Sequence, residues 1–246
     1  MMRSVQRILA ILESFTAEDN CLSLHEIAGR IELPKSTTFR LVQSLEKSGY
    51  LVRLEDQRYC LSFRITRLAG VVRSTLGIRE IARPIMRVLA EQTGETVSLY
   101  AIDERMRVCI DAVATALPLR SVSQPGERVS LARGSSSKVL VAFAKDPKAL
   151  APVRAEMAKL GKKTDAQVRA ELEKIRQAGY AVSHGERVMG VSALSAPVRG
   201  LDDERLYCLS VAGPMVRVQS RELEFTRLVV AAASEISWLY GGQAHP

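Results

Sequence analysis

The chain has 246 residues, 47% of them hydrophobic, and carries 35 Lys and Arg against 27 Asp and Glu for a formal net charge of +8. That length exceeds the usual span of one domain and the apolar fraction can fill two cores, while the positive balance favours a polyanionic partner without choosing between nucleic acid and acidic membrane. No uncharged run reaches the roughly 18 residues a bilayer span needs and no apolar leader follows the N-terminal charges, so no membrane-spanning helix is expected and the protein is expected to stay in the cytoplasm.

The first helix is predicted from the stripe Val5, Ile8, Leu9, Leu12 and Phe15. The second opens on Ser23-Leu24-His25-Glu26, a capping box in which hydroxyl and carboxylate satisfy each other's backbone N–H groups, and its apolar face is Leu24, Ile27, Ala28 and Ile31. After a break at Glu32-Leu33-Pro34, Pro34 suits the first turn of a third helix, which Gly49 ends. Two β-prone runs, 50–53 and 58–61, flank Glu55-Asp56-Gln57 as a hairpin requires. Residues 1–62 therefore read as a winged helix-turn-helix. Residues 63–76 read as a linker helix whose Ile65, Leu68, Ala69 and Val72 form one buried or dimer-facing stripe. Between Gln57 and Arg79 stand Arg58, Arg64, Arg67, Arg73 and Arg79 with no acid, which suits either phosphate contact or a solvated face.

From 77 to 246 the pattern alternates between classes. It predicts a helix over 78–91, strands over 96–102, 107–112 and 119–123, and helices over 135–144, 149–159 and 165–177. Strands over 191–199 and 207–212 and a last helix over 221–240 follow. This is an antiparallel sheet packed by helices, so the class is α+β.

The third helix carries the clearest chemistry. Thr38, Leu41, Val42 and Leu45 share its inner face, which turns Ser36, Arg40, Gln43 and Lys47 outward. The start of such a helix enters the major groove of double-stranded DNA, so Lys35, Ser36, Thr37 and Arg40 reach bases or phosphates, and Arg40 can pair bidentately with guanine. Gln43 lies on the same surface, and Arg53 and Arg58 of the wing offer backbone or minor-groove contacts unless they pair with Glu55 or Asp56. A merely solvated amphipathic helix is the alternative. The capped helix, the short turn and an outer face with no acid before Glu46 decide for DNA, and also against a module that only dimerises.

In the second half, Gly134-Ser135-Ser136-Ser137 falls where a helix begins, so its N–H groups and hydroxyls can either hold a carboxylate or simply cap the helix. Arg120 and Arg133 are candidate counter-charges, with surface solvation as the ordinary alternative. Ser135 and Lys138 also match the S-x-x-K pattern of serine acyl-enzymes, but the S-D-N and K-T-G elements that accompany it are missing, so no catalysis is expected. Cys21, Cys60, Cys109 and Cys208 match no metal or disulfide framework and read as reduced thiols in small apolar sites. His25, His184 and His245 lack a second ligand at metal spacing, and neither a metal nor a cofactor is expected.

Taken together, Arg3-Ser4-Val5-Gln6-Arg7-Ile8-Leu9, Leu33-Pro34-Lys35-Ser36-Thr37, Arg40-Leu41, Leu45 and Gly49-Tyr50 resemble the IclR family of bacterial transcriptional regulators. The likeness continues through Gly94-Glu95-Thr96-Val97, Lys138-Val139-Leu140, Gly179-Tyr180-Ala181, Glu186, Gly190-Val191, Ala196-Pro197-Val198 and Ser210-Val211-Ala212-Gly213-Pro214. The resemblance implies a winged helix-turn-helix joined by a linker helix to a GAF-like effector domain, working as a homodimer or dimer of dimers on palindromic operators. It further implies a small organic acid as effector, aromatic acids among the candidates, in a pocket lined by Ser135, Ser136, Ser183, Ala193, Ser210 and Ala212, to which the helix start adds Gly134. The chain departs from the family pattern over 132–137, where a His near the start and a Gly just before Lys138 are more typical.

Overall fold

A computed structural model of the chain describes residues 3–16, 18–75, 77–200 and 206–242, without the side chains of 72–75. The expectations for Val72, Arg73 and His245 thus lie outside the described residues. The chain divides into two compact units, residues 1–76 and 77–246.

The first unit runs α1 (Arg3–Glu13), β1 (Cys21–Leu22), α2 (Leu24–Arg30), α3 (Lys35–Lys47), β2 (Leu51–Arg53), β3 (Tyr59–Leu61) and α4 (Phe63–Thr75). Its apolar stripes close on one core containing Ile11, Phe15, Leu22, Ile27, Val42, Leu45, Leu51 and Tyr59. The capping box forms: the Glu26 amide donates to Ser23 Oγ at 3.3 Å and the Ser23 amide to Glu26 Oε2 at 2.7 Å. The Ser23 amide, and after it the Ser23 hydroxyl, both donating to Oε2, hold the Glu26 carboxyl below its ordinary pKa. Pro34 stands at the N-cap of α3, one position before the first turn. Gly49 ends the helix region in the left-handed conformation, at φ 77°.

Strand β1 has only two residues, too few to leave a pattern in the sequence, yet it adds to the hairpin to give the order β1-β3-β2. This corrects the expectation for one pair of cysteines. Cys21 and Cys60 are direct register partners across β1 and β3, and their sulfurs are bonded. Their 39-residue separation concealed a pairing that the returning hairpin creates. Cys109 and Cys208 are buried thiols.

The second unit runs α5 (Ile78–Thr93), β4 (Thr96–Asp103), β5 (Met106–Val113), β6 (Arg128–Ser130), α6 (Ser135–Ala142), α7 (Ala151–Gly161), α8 (Asp165–Ala178), β7 (Ala181–His184), β8 (Val191–Arg199), β9 (Leu206–Pro214), α9 (Met215–Ser220) and α10 (Glu222–Leu239). Its six strands form one antiparallel sheet in the order β6-β5-β4-β9-β8-β7. Alternation along the strands serves two cores. Val97, Leu99, Leu194, Val198, Leu209 and Val211 pack with α5 and α10. Tyr100, Cys109 and Cys208 point to the other face, under α6, α7 and α8. Residues 119–123 are not the expected strand. Leu119 and Val122 are exposed, at 68% and 61%, and the segment is tied to β4 instead by a bond from Thr96 Oγ1 to the Ser121 carbonyl at 2.7 Å. Apolar alternation without a ladder partner does not make a strand.

One joint fastens α9 to the residue that precedes β4. The Glu95 side chain, 1% exposed, is gripped from two sides by Arg217, Nε to Oε1 at 2.5 Å and Nη2 to Oε2 at 2.9 Å. A Cβ at position 213 would lie 2.2 Å from Glu95 Oε2, so only glycine leaves room for that carboxylate. Two separated signature segments, 94–97 and 210–214, are therefore one structural device. Among the described residues no helix is long and apolar enough to cross a membrane.

Candidate functional site

The reading helix is arranged as its stripe requires. On α3, Thr38, Val42 and Leu45 are buried, Leu41 and Thr37 half-buried, and Lys35, Ser36, Arg40 and Gln43 exposed. Among the described residues neither Lys35 nor Arg40 has an acidic partner, so both charges are available to a polyanion. In the wing, Arg58 Nε bonds Asp56 Oδ2 at 2.6 Å, and the Arg53 guanidinium lies 5.6 Å from the centre of the Tyr59 ring. Such exposed pairs contribute little, and a phosphate can replace either one. Arg40→Ala is expected to weaken binding to a specific duplex by about 1 to 3 kcal/mol and to relax preference at one base pair per half-site. Gel-shift titration checks this; equal losses on specific and random duplexes would reassign Arg40 to a phosphate.

The second site arises from small residues on the sheet. On the face covered by α6, β7 offers Ser183, β8 offers Ala193 and Ser195, and β9 offers Ser210 and Ala212. Register brings Ser183 opposite Ala193, Ala193 opposite Ala212, and Ser195 opposite Ser210. Short side chains in adjacent rows leave a hollow, and the start of α6 closes it. Gly134 reaches that position with φ 89°, which a side chain would strain. Gly134, Ser135, Ser136, Ser183, Ala193, Ser210 and Ala212 all line one hollow of about 420 Å³, counted out to its open mouth, together with Tyr100, Arg107, Ser121 and residues 186–188. Only about 40 Å³ of it admits the centre of a water-sized sphere, so the hollow as it stands holds a few waters, and a small organic molecule fits once the lining side chains give way.

The hollow's polar groups form a chain. Ser135 Oγ meets Ser195 Oγ at 2.8 Å, and Ser195 Oγ donates to Ser210 Oγ at 2.9 Å. The helix start is less open than its sequence suggests: the Ser135 amide donates to Ser183 Oγ at 3.0 Å and the Gly134 amide to Glu186 Oε2 at 3.3 Å. The principal positive group is a residue that the pattern did not single out. Arg107 projects from β5 beneath the hollow, is 4% exposed, donates to Ser136 Oγ and stacks on the Tyr100 ring at 4.4 Å. Among the described residues no carboxylate lies within ion-pair reach of it, and its Nε is buried without a hydrogen-bond partner. Burial lowers its pKa from the usual value, yet an arginine stays charged. Arg120 and Arg133, for which surface solvation outweighs a role as counter-charges, are exposed and bond the carbonyls of Leu117 and Glu186 at 3.3 and 3.5 Å.

A signal for Arg107 existed. In Met106-Arg107-Val108-Cys109-Ile110-Asp111 strict alternation puts the arginine on the same face as Cys109, and a sheet covered on both sides buries that face too. Lys138 serves a different purpose from the one S-x-x-K suggests. Its ammonium lies 2.8 Å from Glu171 and 2.5 Å from Glu186. Burial alone would lower its pKa, but the two carboxylates outweigh that and hold it above the ordinary value. A lysine kept protonated is a poor base for Ser135, whose hydroxyl is occupied by Ser195. Among the described residues no three His, Cys, Asp or Glu side chains gather as a metal ion needs.

Comparison with known proteins places both units. The family model "IclR helix-turn-helix domain" matches residues 4–55, and "Bacterial transcriptional regulator IclR C-terminal" matches residues 71–238. The "Probable transcriptional regulator SauR" of Cupriavidus necator is 33% identical over 223 residues, covering 88% of each chain. Among solved structures, Pseudomonas aeruginosa HmgR superposes with a TM-score of 0.83 at 25% identity, covering 99% of this chain and all of that one. An IclR homologue of Microbacterium hydrocarbonoxydans, solved with 4-hydroxybenzoate, shares the fold at a TM-score of 0.55 and 21% identity, covering 96% of this chain and 98% of that one. The combination of a capped helix-turn-helix and a serine-lined hollow on a six-stranded sheet thus has a family to which it belongs, and this chain is a member of the IclR family of bacterial transcriptional regulators.

Proposed function

We propose that the chain binds a palindromic operator as a homodimer or dimer of dimers, in the cytoplasm and without catalysis, and that a small organic acid in the serine-lined hollow controls that binding. Arg107 is the observation that carries the effector's chemistry. A buried cation without a carboxylate partner is costly, and an anionic ligand relieves that cost where a neutral one cannot. Ser135, Ser136, Ser183 and Ser210 supply hydroxyls around the same space. The homologue solved with 4-hydroxybenzoate supports an acid of that type as one candidate. On α4, Leu68 and Ala69 are exposed and Ile65 half-buried, as a stripe that meets its copy would be in one isolated chain. Lys35, Ser36, Thr37, Arg40 and Gln43, with Arg53 and Arg58, form the DNA surface. Regulation requires the acid to favour one DNA-spacing state over the other, and linkage then requires DNA to change the acid's affinity in return.

A thermal-shift screen of paired acids and amides tests the reading. Acids are expected to raise the unfolding midpoint and their amides are not, since each charge-assisted hydrogen bond adds about 1.5 to 3 kcal/mol. Equal stabilisation by amides would remove the carboxylate from the proposal.

A further inference from the structure

We infer that Cys21 and Cys60 are a redox-active dithiol, a modification site for hydroperoxides within the helix-turn-helix unit, and that its oxidation fastens β1 to the wing. Four observations carry this. The two residues are register partners with Cα atoms 4.6 Å apart, inside the range a disulfide requires. Both are half-buried and border an open groove with Phe15, Thr16, Asn20 and Leu61, so a small oxidant reaches them. Strand β1 is held to the sheet by only two register pairs, Cys21 with Cys60 and Leu22 with Tyr59, so the covalent bond is a large share of its attachment. Finally, Cys21 lies two residues before the Ser23 cap of α2, and Cys60 lies on the wing strand just after Arg58 and Tyr59, so the bond links the start of the helix-turn-helix to the wing.

The other two cysteines provide the contrast. Burial pushes the Cys109 thiol up to about 11 and Cys208 up to about 12, which keeps both protonated and unreactive. Oxidation is therefore directed to the half-buried pair that borders the groove. The inference rests on the DNA-binding reading for its compartment: a protein that works on the chromosome works among reducing thiols, where a disulfide forms transiently and reports on oxidants. In the step itself, one thiolate attacks the peroxide, the O–O bond breaks, and a sulfenic acid and water (an alcohol, for an organic peroxide) result. The second thiol then attacks the sulfenic sulfur, the S–S bond forms, the S–O bond breaks, and a water leaves. Two electrons pass from the sulfurs to the peroxide, and exchange with a small dithiol returns both thiols.

The test uses the full chain, reduced, desalted and treated with hydrogen peroxide. Expected are the loss of two of four thiols titratable after unfolding, a proteolytic cross-link between the peptides holding residues 21 and 60, and no intermolecular species. The unfolding midpoint of the first unit should rise by on the order of 10 °C, since the bond closes a long loop. Affinity for a duplex selected from a random library by the same protein should rise roughly tenfold, the wing being ordered beforehand. Cys21→Ser and Cys60→Ser should each abolish all of these changes. Oxidation confined to sulfinic acid or to cross-linked dimers would overturn the proposal. So would a cross-link that leaves midpoint and affinity equal to those of Cys60→Ser. Cross-link and midpoint are read without DNA, so a protein that forms the bond but selects no duplex sinks the DNA-binding reading instead.

Discussion

Arg107→Met is expected to make the ligand-free protein more stable by about 1 kcal/mol while weakening its response to the proposed acid effector by at least thirtyfold. The first effect follows from removing a desolvated charge: a buried ionic group replaced by an apolar one of similar volume is often neutral or stabilising. Methionine also keeps contact with the Tyr100 ring through its thioether. The second effect follows because the acid loses its cation, and truncating one partner of a buried charge pair costs about 2 to 5 kcal/mol. The opposed signs are the useful part, since a misfolded variant would lose both. Thermal unfolding with and without acid, alongside operator titration, checks it. A variant that responds to acid like the unmodified protein would move the effector's carboxylate away from Arg107.

Arg217→Met acts through the fold. Glu95 would remain buried without its two-pronged partner, and breaking a buried pair from one side costs about 3 to 5 kcal/mol. The low end applies here, because Arg217 itself is 36% exposed and its side of the pair is screened by water. Denaturant unfolding should show a lower midpoint for the second unit. Glu95→Gln combined with Arg217→Met should recover part of the loss, since the double variant leaves no buried charge. If the single substitution costs under about 1 kcal/mol, the joint between α9 and β4 is held by packing instead.

Much of this architecture was legible because hydrophobic periodicity depends only on neighbouring residues. The long helices and the strands read over 191–199 and 207–212, the latter extending to 206–214 in the fold, follow from stripes and alternation that the chain carries locally. Strands β6 and β7 and helix α9, at three, four and six residues, are too short to show a period. The disulfide needed the register of two strands brought together from 39 residues apart, which no local pattern contains. The hollow was half legible. Its serines and alanines stood in recognisable segments, but Arg107 sits in an alternating strand where arginine normally faces water, and only a helix layer over that face reverses the reading.

The serines and alanines of the hollow belong to neither hydrophobic core, although the strands that bear them contribute to both. Those positions are thus freed from the demand for close packing that fixes Leu194, Leu209 and Val211 on the opposite side of the same strands. Exchanging Ala193, Ser210 or Ala212 for a neighbour in size alters the volume and hydrogen-bonding of the space without disturbing the frame around it. Single steps at these positions can therefore change which small molecule the hollow admits, while the two cores of the sheet stay as they are.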